Sequence, residues 1–405
     1  MSQLNVIGRK RQMPGSSFSS FSIATAELPY SRTSAQNLSD SMIKLSRNND
    51  ALRLSFTCDE DQPASACLNE LPLPGYVEFD SADETDAFIS VLNNDPDSPL
   101  CRFYIIRQGD VLKGFLKADT LIADAYSLSV VRDVLTEEAK GGRSMFYPGK
   151  TYQKFKAQED KYLRSQAFAQ DMEHWRTIFP AVPERVSLLG GEQPENDFDF
   201  TYVMDDVTLS EFLQLCYDYR LTAFQLAALC LHCLLEIYLG RDDICFCYTS
   251  NGRDTATRSI IGSCIGAIPL PLSGLARGSL HEAVDILKKQ LDQTQAHGTC
   301  HLYSIERDMK NRLGTAGGLA DIVISDISPY AFPQRPEYCM SARSMYPLEI
   351  FINIRGKGSS QIYFRCLGSF AGKKAISCLC EAFSRFIHEC FSHWNKDITE
   401  MDIFD

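Results

Sequence analysis

Two rhythms of hydrophobic positions run along the 405 residues of this chain, and they set the elements it predicts. Leu38, Met42, Ile43 and Leu45 recur at helical spacing, and Leu52 to Phe56 then alternate as a strand. The step between them falls near Asn49–Asp50, where turn chemistry is available. The first 35 residues are rich in Ser and predict a partly extended, edge-like start. A helix from about Asp83 to Leu92 is stopped by Asn93-Asn-Asp-Pro96. Two strands, CRFYIIRQ and VLKGFLKA, are joined by the turn Gln108-Gly109-Asp110. After Ala123 the pattern is helical again, and Lys154 to Phe179 predicts one long amphipathic helix ended by Pro180.

The stretch from Val182 to Phe200 has two prolines, a Gly pair and no helical period, so it reads as a linker. Beyond it, Thr208 with Glu211, Thr222 with Gln225 and Ser279 with Glu282 each match a capping box, in which two side chains satisfy orphan backbone donors. DICFCYTS, AIPLPL, DIVISDIS, LEIFINI and QIYFRCLG predict sheet strands, and a last helix runs from about Lys374 to Trp394. The longest apolar stretch, Leu221 to Gly240, contains Gln225, His232 and Glu236, which predicts a buried helix rather than a membrane span. The sum is a mixed α/β (α+β) chain in two similar halves, divided near residue 180.

Composition narrows the function classes. Lys and Arg total 40 against 52 Asp and Glu, a formal charge of −12, so neither nucleic acid nor a membrane surface is an expected partner. A hydrophobic share of 44% excludes disorder as the main state. The 15 cysteines are scattered and several sit in apolar runs, and the basic start is followed by no apolar segment. Both features predict reduced thiols in a cytoplasmic compartment. Gly314, Gly317 and Gly318 match neither a Walker loop nor a dinucleotide fingerprint. Cys230-Leu-His-Cys233 lies in an apolar helix without a second ligand pair nearby, so core packing is expected there and no metal; Cys378 and Cys380 read the same way.

The informative feature is an ordered series of weak motifs. Arg47-Asn-Asn-Asp-Ala-Leu-Arg53-Leu-Ser-Phe56 is followed by Tyr152-Gln-Lys-Phe155 with His174-Trp175, then LGRDDICFCYTSNGR from Leu239 to Arg253. Ile261-Gly262-Ser263-Cys264-Ile265-Gly266-Ala267-Ile268-Pro269-Leu270 and His297-Gly-Thr-Cys-His301-Leu-Tyr303-Ser-Ile305 complete it. In order and spacing, from about residue 38 to 390, the series resembles the condensation domains of nonribosomal peptide synthetases, within the chloramphenicol-acetyltransferase-like superfamily. The family's usual "SxAQxRxW" start is not recognisable.

The resemblance implies two chloramphenicol-acetyltransferase-like lobes, residues 1–180 and 181–405, in a V-shaped pseudo-dimer with an interlobe tunnel. It also implies a crossover from the second lobe and a latch, in Ser328 to Pro347 or near IGSCIG. Family members join acyl groups carried on phosphopantetheine arms of carrier proteins, by proximity and orientation. No bound cofactor or metal is implied; the substrates ride on phosphopantetheine or coenzyme A. The expected partner is a peptidyl or acyl carrier protein or synthetase module, or a tailoring enzyme. The chain ends soon after the last motif, which gives the expectation of a stand-alone member.

The family signature His-His-x-x-x-Asp-Gly aligns with Asp119-Thr120-Leu-Ile-Ala-Asp124-Ala125. Asp119 and Thr120 replace both histidines and are the candidate catalytic positions. A Thr hydroxyl does not accept a proton near neutral pH and only orients a nucleophile; Asp119 is a base by type, but in a dry tunnel it needs a raised pKa. Asp124 is retained, and the resemblance implies that it pairs with an arginine, Arg253 first and Arg53 second. Tyr126, Ser127, Ser263 and Gly266 are the tunnel-lining candidates, Gly266 replacing the family's Asn. His297 and His301 are read as facing solvent or a backbone carbonyl. Three readings follow: a non-catalytic recruiting platform, which the lost histidines favour; an amide- or ester-forming acyltransferase with an altered site; and an acyl-coenzyme A-dependent acyltransferase.

Overall fold

The protein is seen here as a computed structural model, which describes residues 20–59, 62–68, 70–94, 100–142, 151–191, 193–255, 257–314, 318–330 and 346–404. The chain forms two compact units. The first takes the chain up to Ser165 and a returning segment, Asn251–Gly266; the second takes Gln166–Ser250, Ala267–Pro329 and Ser344–Asp405.

In the first unit, β1 (Ser20–Ala24), β5 (Gly75–Phe79), β6 (Cys101–Gln108) and β7 (Val111–Asp119) form a sheet in the order β1-β7-β6-β5, with β2 (Leu28–Pro29) also on β7. The Ser-rich start therefore supplies an edge strand, antiparallel to β7 with Ser20 opposite Asp119. β3 (Leu54–Asp59) and β4 (Gln62–Cys67) make a separate hairpin. Helix α1 (Arg32–Asn48) begins at a box of two serines, Ser31 and Ser34, and buries Leu38, Met42 and Leu45. Helices α2 (Ala82–Asn94), α3 (Ala125–Ala139) and α4 (Tyr152–Leu163) complete the unit.

Two local expectations change here. Strand β3 starts at Leu54, because Asp50–Arg53 is a 3-10 turn. Asp50, the first residue of that turn, acts far along the chain. Its carboxylate accepts the N–H groups of Tyr152 (2.8 Å) and Gln153 (3.1 Å), capping α4 where Thr151 supplies no side-chain bond. The single helix expected over Lys154–Phe179 is two, α4 and α5 (Gln166–Ile178). Ser165 turns its N–H and hydroxyl back onto the Tyr162 carbonyl, at 2.9 and 2.7 Å, and so closes α4 although the apolar period resumes beyond it.

The second unit holds a six-stranded sheet in the order β10-β9-β11-β12-β13-β8, from β8 (Phe198–Val203), β9 (Cys245–Ser250), β10 (Gly266–Pro271), β11 (Ile322–Asp326), β12 (Leu348–Asn353) and β13 (Gln361–Cys366). β9, β11 and β12 run parallel and are mostly buried, as their near-continuous apolar runs require. Helices α6 (Asp206–Tyr219), α7 (Ala223–Leu239), α8 (Leu280–Ala296), α9 (Leu302–Leu313) and α10 (Lys373–Ser392) surround it. α7 is buried from Leu226 to Glu236, and each buried leucine there contributes about 1.5–3 kcal/mol. Cys230 and Cys233 belong to this core. No single helix among the described residues is long and apolar enough to cross a membrane. Thr222 and Ser279 cap α7 and α8 with complete boxes. Thr208 does not cap α6: Asp205 is the N-cap, its Oδ1 accepting Val207 N–H and Thr208 N–H at 2.9 Å each, and the Thr208 hydroxyl donates to Asp205 Oδ2. The latch expected in Ser328–Pro347 falls mainly on residues 331–345, outside the described residues.

Candidate functional site

Strand β7 carries the chain to the degenerate signature. Asp119, its last residue, is buried, and its N–H donates to Leu100 O. Its Oδ1 accepts Leu121 N–H at 2.8 Å while its carbonyl accepts Ile122 N–H (2.9 Å) and Ala123 N–H (3.1 Å). This turn reverses the chain between strand and helix, the local chemistry for which Asp is favoured. Thr120 is buried within it.

Four residues later Asp124 is the N-cap of α3. Its Oδ1 accepts Ser127 N–H at 2.9 Å, the expected capping bond. The same carboxylate accepts a bidentate ion pair from Arg253, Nη1 to Oδ2 at 2.7 Å and Nη2 to Oδ1 at 3.0 Å, and Oδ2 also accepts Cys264 N–H at 2.9 Å. Ala125, at the family's glycine position, is the first helical residue and has no positive φ, so a side chain fits there.

Arg253 and Ser127 extend the network. The guanidinium donates to the carbonyls of Asn251 (3.1 Å), Ile260 (3.1 Å) and Gly262 (3.0 Å), and to Ser127 Oγ (2.8 Å). Ser127 Oγ accepts Gly262 N–H at 3.0 Å and has one proton for two acceptors, Asp124 Oδ1 and Gly262 O. The Tyr126 ring lies 4.8 Å from the guanidinium carbon, a cation–π distance. Burial is the largest influence on the Arg253 pKa and pulls it down, but the charge and hydrogen bond of Asp124, with Cys264 and Tyr126, together outweigh it and hold the pKa above the ordinary arginine value. Asp124 and Arg253 are 2% and 1% exposed at their side chains, so the pair is desolvated and geometrically complete.

The returning segment is shaped to receive this pair. Gly252 has φ +60°, and a Cβ there would lie 2.1 Å from Cys264 O. Gly262 lies under the Tyr152 ring, whose hydroxyl donates to Ser263 O at 2.9 Å.

The structure brings some of the sequence-derived candidates together and leaves others apart. Asp124, Arg253, Ser127 and Tyr126 come together in the first unit. Arg53 does not join them: its Nη1 donates to Leu68 O at 3.0 Å, because the 3-10 turn directs it toward the β3–β4 hairpin. Ser127 and Ser263 are wholly buried, and Gly266 is buried at the start of β10. Asp119 and Thr120 are buried at the β7 end.

The two histidines of the worn motif belong to the second unit. His301 is the buried N-cap residue of α9. His297 stacks on His174 with ring centroids 3.8 Å apart, and its Nδ1 lies 2.8 Å from Asp171 Oδ1. This triad escapes a sequence reading because Asp171 and His297 are 126 residues apart. No group of three or more potential metal-ligating side chains occurs among the described residues.

Comparison with known proteins places this geometry. A family profile described as "Condensation domain" matches residues 19–405. Nonribosomal peptide synthetase 8 of Aspergillus fumigatus is 24% identical over 228 residues, 53% of this chain; the match spans 2% of that protein's length. Among solved structures, the first condensation domain of the calcium-dependent antibiotic synthetase, in complex with a substrate analogue, superposes with a TM-score of 0.77 at 18% identity, covering 100% of this chain and 98% of that one. The starter condensation domain of rhizomide synthetase, in complex with C8-CoA, gives 0.82 at 13% identity, covering 100% and 96%. The condensation domain of the monacolin K polyketide synthase gives 0.81 at 12% identity, covering 98% of each chain. These likenesses establish the chloramphenicol-acetyltransferase-like fold, and the match across nearly the whole chain establishes that it belongs to the condensation-domain family.

Proposed function

We propose that this chain is a condensation-domain scaffold that recruits a carrier protein or synthetase module of a nonribosomal peptide or polyketide pathway without a histidine base. One observation carries the reading. The structural half of the signature, Asp124 with Arg253, is complete, while the chemical half is replaced by Asp119 and Thr120. Thr120 has no basic lone pair for a proton near pH 7. Asp119 is buried at the end of β7 with Oδ1 committed to the Leu121 N–H, a turn-forming role. Retention of an expensive buried pair beside a lost base supports selection for shape and binding.

A second reading, an acyltransferase with an altered site, is favoured by the presence of a buried carboxylate, Asp119, at the first signature position. One assay separates the two. Carrier proteins loaded with donor and acceptor groups on phosphopantetheine are incubated with wild type, Asp119→Ala and Thr120→Ala, and carrier binding is measured in parallel. The platform reading expects binding with no amide or ester formation above background. Turnover that falls at least about tenfold in either variant, in protein that still folds and binds carrier, overturns it, because that loss corresponds to about 1.4 kcal/mol of transition-state stabilisation from the site. Absence of carrier binding overturns both readings.

A further inference from the structure

The second unit contains a cavity of about 280 Å³. Its floor is Leu188, Leu235 and Leu379, all buried. The Leu188 segment is pinned, since Leu188 N–H donates to Phe370 O at 2.8 Å. Tyr238 and Phe404 stand at its rim with ring centroids 6.5 Å apart, yet they are 55% and 47% exposed. Two large aromatics left this open around an apolar floor form a wall that no described residue covers.

Among the residues lining the cavity the one charged side chain is Lys374. Lys374 and Ala375 line it from the first turn of α10. Lys374 makes no ion pair among the described residues. The helix opens at Gly372, which offers no side-chain cap, and Glu195 takes only the Lys373 N–H. The N–H groups of Lys374 and Ala375 belong to the first turn of α10, the end of a helix that favours an anion, and the Glu195 carboxylate there reaches only Lys373. The exposed Cys378 stands one helical turn further along the same rim.

We propose that this cavity binds a medium-chain monocarboxylate, with its apolar chain on Leu188, Leu235 and Leu379 and its carboxylate at Lys374. At about 30 Å³ per water-sized group, the space takes a chain of roughly eight to nine heavy atoms. The aromatic rim covers the chain, and the single cation selects one anionic head. The site lies wholly within the second unit and stands whether or not the chain is catalytic.

Cys378 supplies the readout, because a chain seated in the cavity shields a thiol on its rim. The rate of Cys378 alkylation by iodoacetamide is followed by peptide mass mapping in octanoate and in 1-octanol. Octanoate is expected to protect Cys378 saturably with a Kd of about 1 mM or tighter. Octanol and the Lys374→Gln variant are expected to weaken protection about tenfold. Ala375→Phe, which fills the cavity, is expected to abolish it; Leu189→Trp repeats the block from the opposite wall if Ala375→Phe does not melt cooperatively. No protection by octanoate, or equal protection in both blocked variants, overturns the proposal. Equal affinity for octanol and octanoate overturns the anionic assignment. Protection that grows with protein concentration in the absence of octanoate means a second copy covers the cavity, and also overturns it.

Discussion

Arg253 holds Asp124 with both ends of its guanidinium across 129 residues of sequence, and so fastens the returning segment Asn251–Gly266 to the cap of α3. Every oxygen lone pair in reach is used: Asp124 accepts from Arg253, Ser127 and Cys264. Removing one charge leaves the other buried without a partner, which costs about 3–5 kcal/mol. Asp124→Asn is therefore expected to lose that much in urea unfolding. The double variant Asp124→Asn/Arg253→Met is expected to lose less than the sum, because no lone guanidinium is left buried. Additive losses would show that the two residues act separately.

The contact of Tyr152 with Gly262 gives a second test. A Cβ on Gly262 would lie 2.1 Å from Tyr152 Cδ2, and Tyr152 is fixed from both sides, by Asp50 at its N–H and Ser263 at its hydroxyl. The ring has no free direction in which to move. Gly262→Ala is expected to destabilise by about 1–3 kcal/mol through overpacking. Combining it with Tyr152→Leu, which vacates the ring, should recover part of that loss in thermal melts; no recovery would refute the clash.

Much of this fold is legible in the sequence wherever one rhythm dominates. Strand β6 matches its expected run to the residue, β7 runs one residue further to Asp119, and α7 is visible because its apolar face is the whole helix. The misreadings share a cause: polar side chains acting at a distance or in competition. Ser165 ends α4 inside a continuing amphipathic pattern, and Asp205 takes the capping place because its Oδ1 accepts the Val207 and Thr208 N–H groups while the Thr208 hydroxyl is committed as a donor to Oδ2. At the site, the Asp124–Arg253 pair comes from the resemblance to a family, since neither residue carries a local signal for the other. The stacking of His174 on His297 has no signal in either segment.

The pair of Glu236 and His232 on α7 makes stability depend on pH. Burial alone would raise the Glu236 carboxyl, but His232, whose Nδ1 is 3.5 Å away, the Ala276 N–H at 3.1 Å and the Arg277 charge together hold it below the usual glutamate value. A carboxyl with a depressed folded pKa stabilises fully above its unfolded pKa of about 4.3 and loses that contribution as pH falls through the folded value. Glu236→Gln should cost about 1–3 kcal/mol at pH 7. The gap between variant and wild type should narrow as the pH falls below about 4.3. A gap constant from pH 7 to acid would remove Glu236 as its source.

His174 titrates in the opposite part of the range. Burial lowers its pKa first, and repulsion from His297 adds to this, with Asp171 opposing. The unfolded state then binds the proton more readily, so stability falls as the pH drops below about 6.5. The imidazole resonance of His174 should titrate below that value. His174→Phe keeps the stacking surface and should flatten the pH dependence of the melting temperature in this window. A His174 resonance titrating at or above the ordinary histidine value would contradict the assignment.

The signature itself allows a gain-of-function test of the platform reading. Thr120, which the resemblance aligns with the second signature histidine, directly follows Asp119, whose Oδ1 accepts the Leu121 N–H. Replacing Asp119 removes that bond, whereas replacing Thr120 leaves it in place. Thr120→His should therefore fold, at an overpacking cost of about 1–3 kcal/mol, while Asp119→His should lose the turn as well. A positioned base contributes about 10²–10⁴-fold to such a transfer. If the scaffold lacks only the base, Thr120→His should form product from loaded carrier proteins at least about tenfold above a silent wild type, and Asp119→His should not. A Thr120→His variant that folds, binds carrier and stays silent would mean that more than the histidine has been lost. A wild type that already turns over would move the chemistry back to Asp119 and Thr120 as they stand.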